Sequence, residues 1–391
     1  MVFKCFRVAV ALLLLAALFC TILSIMLHRR FPSEETEAPP PQETQTRRTG
    51  DAIAVMMKYG ANCFRLRLFV NPSPRDEWGG FTGNDLDYTV VLAKRVKASG
   101  AKLVLAIHYS DTWADPQRQD IPAAWKGLSF EQLVDRLFEY TRDVISRLRN
   151  EGALPDMVQI GNEITCGFLW PEGKVCDVED PQEQWRKFTT LLKAAIRGVK
   201  EGSGSDSVKI ILHIHGAGWE VTKWFFSNVE KYGVTYDFIG LSYYPWWHGS
   251  LASLKMNIQN SFNVFGKRVI IVETAYPYRS VNLSDIPWAD PKYATWEFTP
   301  EGQRNYLLDL AATIDATSCA GLLWWYPEAI PVGDLKPWLG GAAALFDAEG
   351  RALPALKAFK EVREMLGPEF LLGGDVSALG EVERLGGVFT E

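Results

Sequence analysis

The sequence predicts an α/β protein with a (β/α)8 barrel, and three observations lead to this prediction. From residue 51 onward, short apolar runs alternate with amphipathic helical patterns, which is typical of parallel βαβ units. Polar and aromatic residues cluster directly after the apolar runs, where barrels of this type build their sites. A doubly wound sheet is the alternative, but no Gly-x-Gly-x-x-Gly motif follows a first strand. One barrel domain over residues 51–391 is therefore favoured.

Seven strands can be assigned from apolar runs bounded by turn residues, a pattern typical of strands buried on both faces. They cover residues 63–69, 103–108, 157–161, 208–214, 237–242, 269–273 and 321–325. Helices are predicted near residues 85–98, 130–149, 182–201, 220–231, 250–262, 301–316 and 354–365. Seven strand–helix pairs leave one strand of the eight unassigned.

The first fifty residues are predicted to lie outside the barrel, in two segments. Residues 8–27 form an uncharged apolar run that is long enough to cross a bilayer as one helix. No small-x-small cleavage site stands near its end, which favours a signal anchor over residues 1–30 rather than a cleaved signal peptide. Residues 31–50 are rich in Pro, Glu and Thr, which predicts a disordered linker.

Composition narrows the classes of ligand. The net charge is −6, so the chain lacks the basic footprint of a nucleic-acid-binding protein. No CxxC or HExxH pattern appears, and the sequence predicts neither a zinc site nor another cofactor. Cys166 and Cys176 lie ten residues apart in one polar loop and could form a disulfide in an oxidising compartment, whereas Cys63 is expected to be a buried thiol.

Two glutamates, Glu163 and Glu273, each follow or end a predicted strand. A carboxylate is costly to bury, so at the carboxyl end of a barrel strand it usually has a chemical role. Two such groups are what glycoside cleavage requires, one to protonate the leaving oxygen and one to attack the sugar carbon or activate water. Structural glutamates held by salt bridges are the alternative.

Further polar and aromatic residues cluster at the predicted strand ends, in a mixture suited to hydrogen bonding with hydroxyl groups and to ring stacking. The candidate substrate-binding residues are Arg67, His108, Asp111, Trp113, Asn162, Tyr244, Trp247 and Trp325. Arg65 and Arg67 have the same parity on the first predicted strand and should face the same side, where a cation lowers the pKa of a nearby carboxyl group.

These motifs resemble glycoside hydrolase family 53, the endo-β-1,4-galactanases, over about residues 52–365. The pieces that carry the resemblance are ANCFRLRLFVNP, HYSDTWADP, QIGNEI, GFLWPEG, IGLSYYPWWHGSL, VETAYPY, TPEGQ and WWYP. The resemblance implies a retaining, endo-acting hydrolase of β-1,4-galactan, with Glu163 as acid/base and Glu273 as nucleophile. A retaining mechanism predicts that the two carboxyl groups lie about 5–5.5 Å apart.

The sequence departs from the family pattern at three positions. Ala106 stands where the family usually has an aspartate, Cys166 replaces a polar residue, and Tyr326 stands where a glutamate commonly follows the last tryptophan. None of these changes removes a catalytic group, and each could alter contacts with the substrate.

The family ordinarily begins with a strand that resembles F-x-x-G-x-D-V-S, and no such segment stands before residue 52. A similar segment occurs instead at residues 370–377, which include Asp375. Strands 8 and 1 are neighbours in a closed barrel, and the termini of domains often lie close together. We therefore expect a circularly permuted barrel, closed by residues 370–377, with Asp375 at the rim of the site. A frayed tail and a truncated second barrel are the alternatives.

Two other functions remain open at this level. One is another β-glycanase of related fold, acting on xylan, mannan or glucan, because the glutamate pair does not distinguish between these polymers. The other is a polysaccharide-binding protein without catalysis. A polymeric substrate also implies an extracellular or cell-surface location, membrane-anchored or secreted after cleavage, and a monomer is expected.

Overall fold

The computed structural model describes residues 50–216 and 218–391, which contain a closed barrel of eight parallel strands. The strands are β1 (Cys63–Leu68), β2 (Lys102–Ile107), β3 (Met157–Ile160), β4 (Lys209–His215), β5 (Phe238–Tyr243), β6 (Arg268–Thr274), β7 (Cys319–Trp325) and β8 (Leu371–Asp375). Each strand pairs with the next, and β8 pairs with β1. The predicted (β/α)8 fold is confirmed.

Helices surround this barrel. The α-helices are α1 (Ala52–Lys58), α2 (Leu86–Ala98), α3 (Phe130–Asn150), α4 (Pro181–Ser203), α5 (Trp219–Lys231), α6 (Pro245–His248), α7 (Leu251–Phe265), α8 (Pro300–Asp315), α9 (Pro354–Lys357), α10 (Phe359–Leu366) and α11 (Leu379–Arg384). Short 3-10 helices cover Ala123–Trp125, Ile164–Cys166, Leu283–Asp285, Pro291–Tyr293 and Trp338–Gly341.

Several of the longer helices begin at a residue that supplies a capping side chain. Asp85 accepts a hydrogen bond from a backbone N–H at the start of α2, and Thr299 does so for α8. At the start of α3, Ser129 and Gln132 form a reciprocal capping box. These local signals explain why the predicted helix bounds agree with the structure to within a few residues.

The C-terminal strand β8 closes the barrel, as the sequence predicts. Its residues pair in parallel with β7 on one side and with β1 on the other, with Asp375 opposite Arg65 and Trp325. Glycine is required at Gly373, because a Cβ atom there would lie 1.7 Å from the carbonyl oxygen of Cys63. Filling this slot leaves no open sheet edge in the barrel.

The barrel interior has an apolar lower layer and a polar upper layer. The lower layer includes Cys63, Val104, Met157, Ile211, Ile270, Val272, Ala320 and Leu323. Because side chains alternate along a strand, Arg65 and Arg67 share the inward side with Cys63, and both are fully buried. The upper layer is therefore where charged groups meet.

The loop after β3 is cross-linked. Cys166 and Cys176 form a disulfide, as the sequence allowed, and Cys63 is a free, buried thiol. The loop begins directly after Glu163, so the disulfide constrains the segment that carries this side chain.

The predicted signal anchor at residues 1–30 lies outside the described residues. Residues 31–49 of the predicted linker also lie outside them. Within residues 50–216 and 218–391, the structure contains no helix of the length and apolar character that a membrane span needs.

Candidate active site

Glu163 and Glu273 both lie at the mouth of the barrel. Ser242, near the end of β5, donates a hydrogen bond from Oγ to Glu163 Oε1 at 2.7 Å. The same serine is the register partner of Glu273 on β6. Ser242 therefore connects the two glutamates that the sequence selected, and they occupy one site.

Irregular backbone aims both carboxyl groups. Glu163 adopts a left-handed conformation with φ 48° and ψ 46°, which is uncommon for a residue other than glycine and often marks a functional position. On β6 the register shifts by one residue opposite Leu241 and Ser242, which indicates a bulge. Val272 and Glu273 can then both face the interior, although regular alternation would place them on opposite sides.

Two buried arginines from β1 hold an acidic partner from β8. Asp375 accepts from Arg65 Nη1 at 2.8 Å through Oδ2 and from Arg67 Nη1 at 3.2 Å through Oδ1. Ser377 Oγ also donates to Asp375 Oδ1, at 2.6 Å. Asp375 is fully buried beneath the site, so it fixes the arginines rather than standing at an open rim.

Arg65 also reaches the catalytic candidates. Its Nη2 lies 3.0 Å from Glu273 Oε1 and donates to Asn162 Oδ1 at 2.7 Å. Tyr244 donates its hydroxyl hydrogen to the other oxygen of Glu273 at 3.4 Å. Asn162 is held further by a hydrogen bond from its Nδ2 to the carbonyl oxygen of Ala114, at 2.8 Å. The sequence analysis predicted only that Arg65 faces the same side of β1 as Arg67. The structure places Arg65 at the centre of the site.

Electrostatics distinguish the two carboxyl groups. Burial raises the pKa of Glu163, and the nearby Glu273 carboxylate raises it further, to about 8. Burial also raises the pKa of Glu273. The positive charge of Arg65 lowers this pKa, and the hydrogen bond from the Tyr244 hydroxyl lowers it further. The site therefore favours a proton on Glu163 and a negative charge on Glu273.

An aromatic wall stands beside the carboxyl groups. The Arg67 guanidinium carbon lies 4.7 Å from the ring centroid of Trp113 and 4.9 Å from that of Trp325. Tyr326 contributes a third ring at 4.6 Å and accepts from Arg67 Nη2 at 3.0 Å through its hydroxyl. Both tryptophans are partly exposed, so their rings remain available to a ligand.

A second aromatic group extends from Tyr244. Trp247 packs against Tyr244 at a centroid distance of 5.3 Å and against Trp338 at 6.3 Å. Trp247 is 38% exposed, and its indole Nε1 donates to the carbonyl oxygen of Pro287. The structure thus brings Trp247 to the site through Tyr244.

His108 and Asp111 differ in what they can offer to a ligand. His108 is buried, its Nδ1 accepts from the backbone N–H of Ala114, and its Nε2 has no protein partner. Burial, with the positive charge of Arg65, holds the pKa of His108 well below its usual range. Asp111 instead accepts from the backbone N–H groups of Asn71 and Ala123, so its carboxylate joins two loops.

Several contributors were missed by the sequence analysis. Ser242 and His213 contact Glu163, and Gln159 supports Asn162. Period-2 alternation on β3, β4 and β5 could have identified them as inward-facing polar residues. Among the residues that the structure describes, no group of three or more His, Cys, Asp or Glu side chains is arranged to hold a metal ion.

Comparison with known proteins gives consistent matches. Residues 32–359 match the sequence model of Glycosyl hydrolase family 53. An arabinogalactan endo-beta-1,4-galactanase from Thermothelomyces thermophilus is 34% identical over 320 residues, which is 79% of this chain and 90% of that protein. The endo-beta-1,4-galactanase of Bacillus subtilis is 30% identical over 79% of each chain.

Solved structures of proteins from the same family superimpose on this chain. The GH53 catalytic domain of Ignisphaera aggregans superimposes with a TM-score of 0.70 and 33% identity, covering 80% of this chain and 88% of that domain. A structure from a study of two fungal beta-1,4-galactanases gives a TM-score of 0.65 and 31% identity, covering 78% of this chain and 89% of that one.

Proposed function

This chain belongs to glycosyl hydrolase family 53, and from that premise we propose that it is a retaining endo-β-1,4-galactanase that acts by double displacement. The observation that carries the proposal is the unequal environment of two glutamates at one barrel mouth. Glu273 faces the Arg65 guanidinium, whereas Glu163 faces the Ser242 hydroxyl and the negative charge of Glu273.

In the first step, ionised Glu273 attacks the anomeric carbon while Glu163 gives its proton to the glycosidic oxygen. The C–O bond to the leaving chain breaks, and a covalent glycosyl-enzyme forms through Glu273. In the second step, ionised Glu163 takes a proton from water, and the water oxygen displaces Glu273 from the same carbon. Two inversions leave the configuration unchanged.

The remaining site residues have supporting roles in this proposal. Arg65 and Tyr244 keep Glu273 ionised and oriented, and Asp375 holds the two arginines in place. The unpartnered Nε2 of buried His108 is an N–H donor for a sugar hydroxyl, because its Nδ1 already accepts from Ala114. Trp113, Trp247 and Trp325 offer ring faces to galactosyl units.

The direct test is the release of reducing ends by the purified full-length protein from galactan, xylan, mannan and glucan in parallel. We expect release from galactan, with the anomeric configuration of the first product retained. Release from one of the other polymers alone would indicate a different β-glycanase, and no release from any of them would contradict the proposal.

The proposal includes an extracellular or cell-surface location, with residues 8–27 as membrane anchor and the barrel domain acting as a monomer. The Cys166–Cys176 disulfide supports an oxidising compartment. Carbonate extraction of membranes tests the anchor. Recovery in the soluble fraction, with an N-terminus after residue 27, would instead establish a cleaved signal.

We further propose that the barrel is circularly permuted within its family. The closing strand β8 ends in Gly373, Gly374 and Asp375, and with Val376 and Ser377 after it this segment resembles the family's opening strand. The family match ends at residue 359, before this strand. The backbone N–H of Phe389 donates to the carbonyl oxygen of Gly50 at 3.3 Å, so the two ends of the barrel domain meet.

A further inference from the structure

A buried hydrogen-bonded chain runs from β4 through β5 to Glu163. His213 Nε2 lies 2.8 Å from Ser242 Oγ, and Ser242 Oγ lies 2.7 Å from Glu163 Oε1. The other ring nitrogen of His213 lies 3.3 Å from the backbone nitrogen of Glu163. His213 and Ser242 are both fully buried, so the contacts form a closed ring that begins and ends at one glutamate.

The direction of each hydrogen bond in this ring follows from counting hydrogens. Ser242 has one hydroxyl hydrogen, which it donates to Glu163 Oε1, so its oxygen must accept from His213 Nε2–H. Burial lowers the pKa of His213 well below its usual range, and so does the positive charge of Arg65. A neutral imidazole has only one N–H, and Nδ1 is therefore an acceptor for the backbone N–H of Glu163.

Asn162 Oδ1 lies 3.1 Å from Nδ1 of His213. If this oxygen lacked a hydrogen-bond donor, the contact would favour the opposite tautomer of His213, in which Nδ1 carries the hydrogen. It already accepts from Arg65 Nη2 at 2.7 Å and from Gln159 Nε2 at 3.1 Å, which occupies both of its lone pairs. The opposite tautomer would also remove the acceptor of the buried Glu163 N–H. The surrounding contacts thus support Nε2–H.

We infer that His213 and Ser242 are positioning residues that assign the transferable proton of Glu163 to Oε2 and keep Oε1 as a hydrogen-bond acceptor throughout the reaction. This inference rests on the proposed role of Glu163 as acid/base. When Glu163 gives up its proton, the Ser242 hydroxyl already points at the carboxylate that forms. No side chain in the ring has to reorient between the two steps, which is the arrangement that favours electrostatic stabilisation.

The charged groups around the ring come from several elements. Glu163 is influenced by Glu273 on β6, by Asp115 in the loop after β2 and by Arg65 on β1. The groups that influence His213 are Arg65, His108, His215 and His248. A pH profile therefore reports on all of these groups, and the test needs a measurement that isolates His213.

That measurement is the tautomer of His213 by 15N NMR on the full-length protein with labelled histidine. The chain has five histidines, and the His213 signal is assigned by its loss in His213→Gln or by elimination from variants of the others. We expect a neutral Nε2–H ring at pH 5 to 8. An Nδ1–H ring or an imidazolium would overturn the inference, whatever the protein hydrolyses.

The kinetic test compares wild type with Ser242→Ala on galactan and on an aryl galactobioside whose leaving group needs no protonation. Loss of a donor to the carboxylate raises the pKa of Glu163, so the basic limb of kcat/KM should shift to higher pH by about one unit. Turnover of galactan should fall at least about tenfold more than that of the aryl substrate, because only galactan requires the directed proton.

His215→Gln is the matched control. His215 lies on the same strand, and its Nδ1 pairs with Thr165 Oγ1 at 2.6 Å. Burial lowers the pKa of His215 to about 4, so its ring is already neutral at the pH of the basic limb and His215→Gln should leave that limb unmoved. Equal losses on both substrates in Ser242→Ala, with an unmoved basic limb, would overturn the positioning role. If the wild type failed to hydrolyse galactan, the proposed function would be wrong. The NMR measurement of the His213 tautomer would still test the hydrogen-bond directions in the ring.

Discussion

At the scale of single residues, the neighbours of each carboxyl group decide its chemistry. Glu163 and Glu273 are the same residue type at the same mouth, yet one faces a hydroxyl and a negative charge while the other faces a guanidinium. Desolvation acts on both, so the difference in proton affinity comes from these neighbours.

Substitution should separate the two roles. Glu163→Gln should reduce turnover of galactan by about 10²–10⁴-fold, because it removes general acid–base catalysis. Glu273→Ala should lose nearly all turnover, because no covalent intermediate can form. With azide and an activated aryl substrate, Glu273→Ala should yield the inverted glycosyl azide, which product NMR would identify.

The exposed Glu179, which follows the disulfide loop, provides a matched control. Glu179→Gln should hydrolyse galactan at the wild-type rate. A Glu273→Ala enzyme with near-normal turnover of galactan would contradict the assignment of the nucleophile.

Glu328 predicts a dependence of stability on pH that is separate from catalysis. It is fully buried, and burial, with the nearby Asp375 carboxylate, raises its pKa to about 8. The folded protein therefore holds this proton more tightly than the unfolded chain, whose glutamates titrate near pH 4.3. The contribution of Glu328 to the free energy of unfolding is therefore fully present below about pH 4.3. Above that pH the contribution falls by about 1.4 kcal/mol per pH unit until about pH 8, because the unfolded chain releases the proton first.

Glu328→Gln should remove this loss, because the amide stays neutral and its oxygen can still accept from the backbone N–H of Ala378. The free energy of unfolding, measured in denaturant from pH 5 to 8, should fall less steeply in the variant than in wild type. Glu364 is exposed, and Glu364→Gln should follow the wild-type curve. Parallel curves for Glu328→Gln and wild type would contradict the prediction.

At the scale of elements, loops and bulges orient the side chains that lie at the ends of the strands. The strands bring Glu163 and Glu273 to one rim, but a left-handed residue after β3 and a register shift on β6 turn the side chains inward. The departure from the family pattern at Cys166 is explained at this scale, since this residue pairs with Cys176 in the loop that follows Glu163.

Removing this disulfide should affect both stability and turnover. The double substitution Cys166→Ser with Cys176→Ser should lower the free energy of unfolding by about 2–3 kcal/mol, because the unfolded chain regains the entropy of a short closed loop. We also expect a lower kcat, because the loop that orients Glu163 is less constrained. Denaturant unfolding and galactan hydrolysis measure the two effects.

Wild type treated with a reductant should approach the double variant in both measurements. The buried thiol of Cys63 supplies the control, since Cys63→Ala alters packing at the barrel bottom and should leave the response to reductant unchanged. A double variant as stable as wild type would contradict the structural role of the cross-link.

At the scale of the whole molecule, β8 joins the closure of the barrel to the chemistry of the site. It covers the edges of β1 and β7, and its Asp375 neutralises Arg65 and Arg67. A chain without β8 would expose two strand edges and leave two buried guanidinium groups without this partner, which is strongly unfavourable.

Deletion of residues 368–391 should therefore yield a protein that is largely unfolded or aggregated and has no galactanase activity. Circular dichroism and size-exclusion chromatography would detect this outcome. Full activity with an unchanged melting temperature would refute the closing role of β8.

Transposition of the same residues is the matched control, and it also tests the permutation. A chain in which residues 367–391 precede residues 50–366, joined by a short linker, should fold and hydrolyse galactan at a rate within about threefold of wild type. The ends meet at Gly50 and Phe389, so the new connection spans a short distance. An unfolded transposed chain would count against a permuted barrel.

Much of this protein can be read from local patterns. Apolar runs and amphipathic patterns predicted the strands and helices, because the burial of a segment's faces follows the spacing of apolar residues along the sequence. The positions of Glu163 and Glu273 at strand ends followed from the same patterns. The closing strand at residues 370–377 did not, and was predicted instead from its resemblance to the family's opening segment.

The tertiary structure alone decided which groups meet. Arg65 pairs with Asp375, 310 residues away along the chain, and Ser242 on β5 reaches Glu163 after β3, past the intervening strand β4. The carboxylate of Asp111 is used by loop amides, although its place beside His108 suggested a ligand contact. Each outcome depends on the register of the closed barrel and on one bulge, which are set by packing around the whole ring and leave no mark in a local sequence pattern.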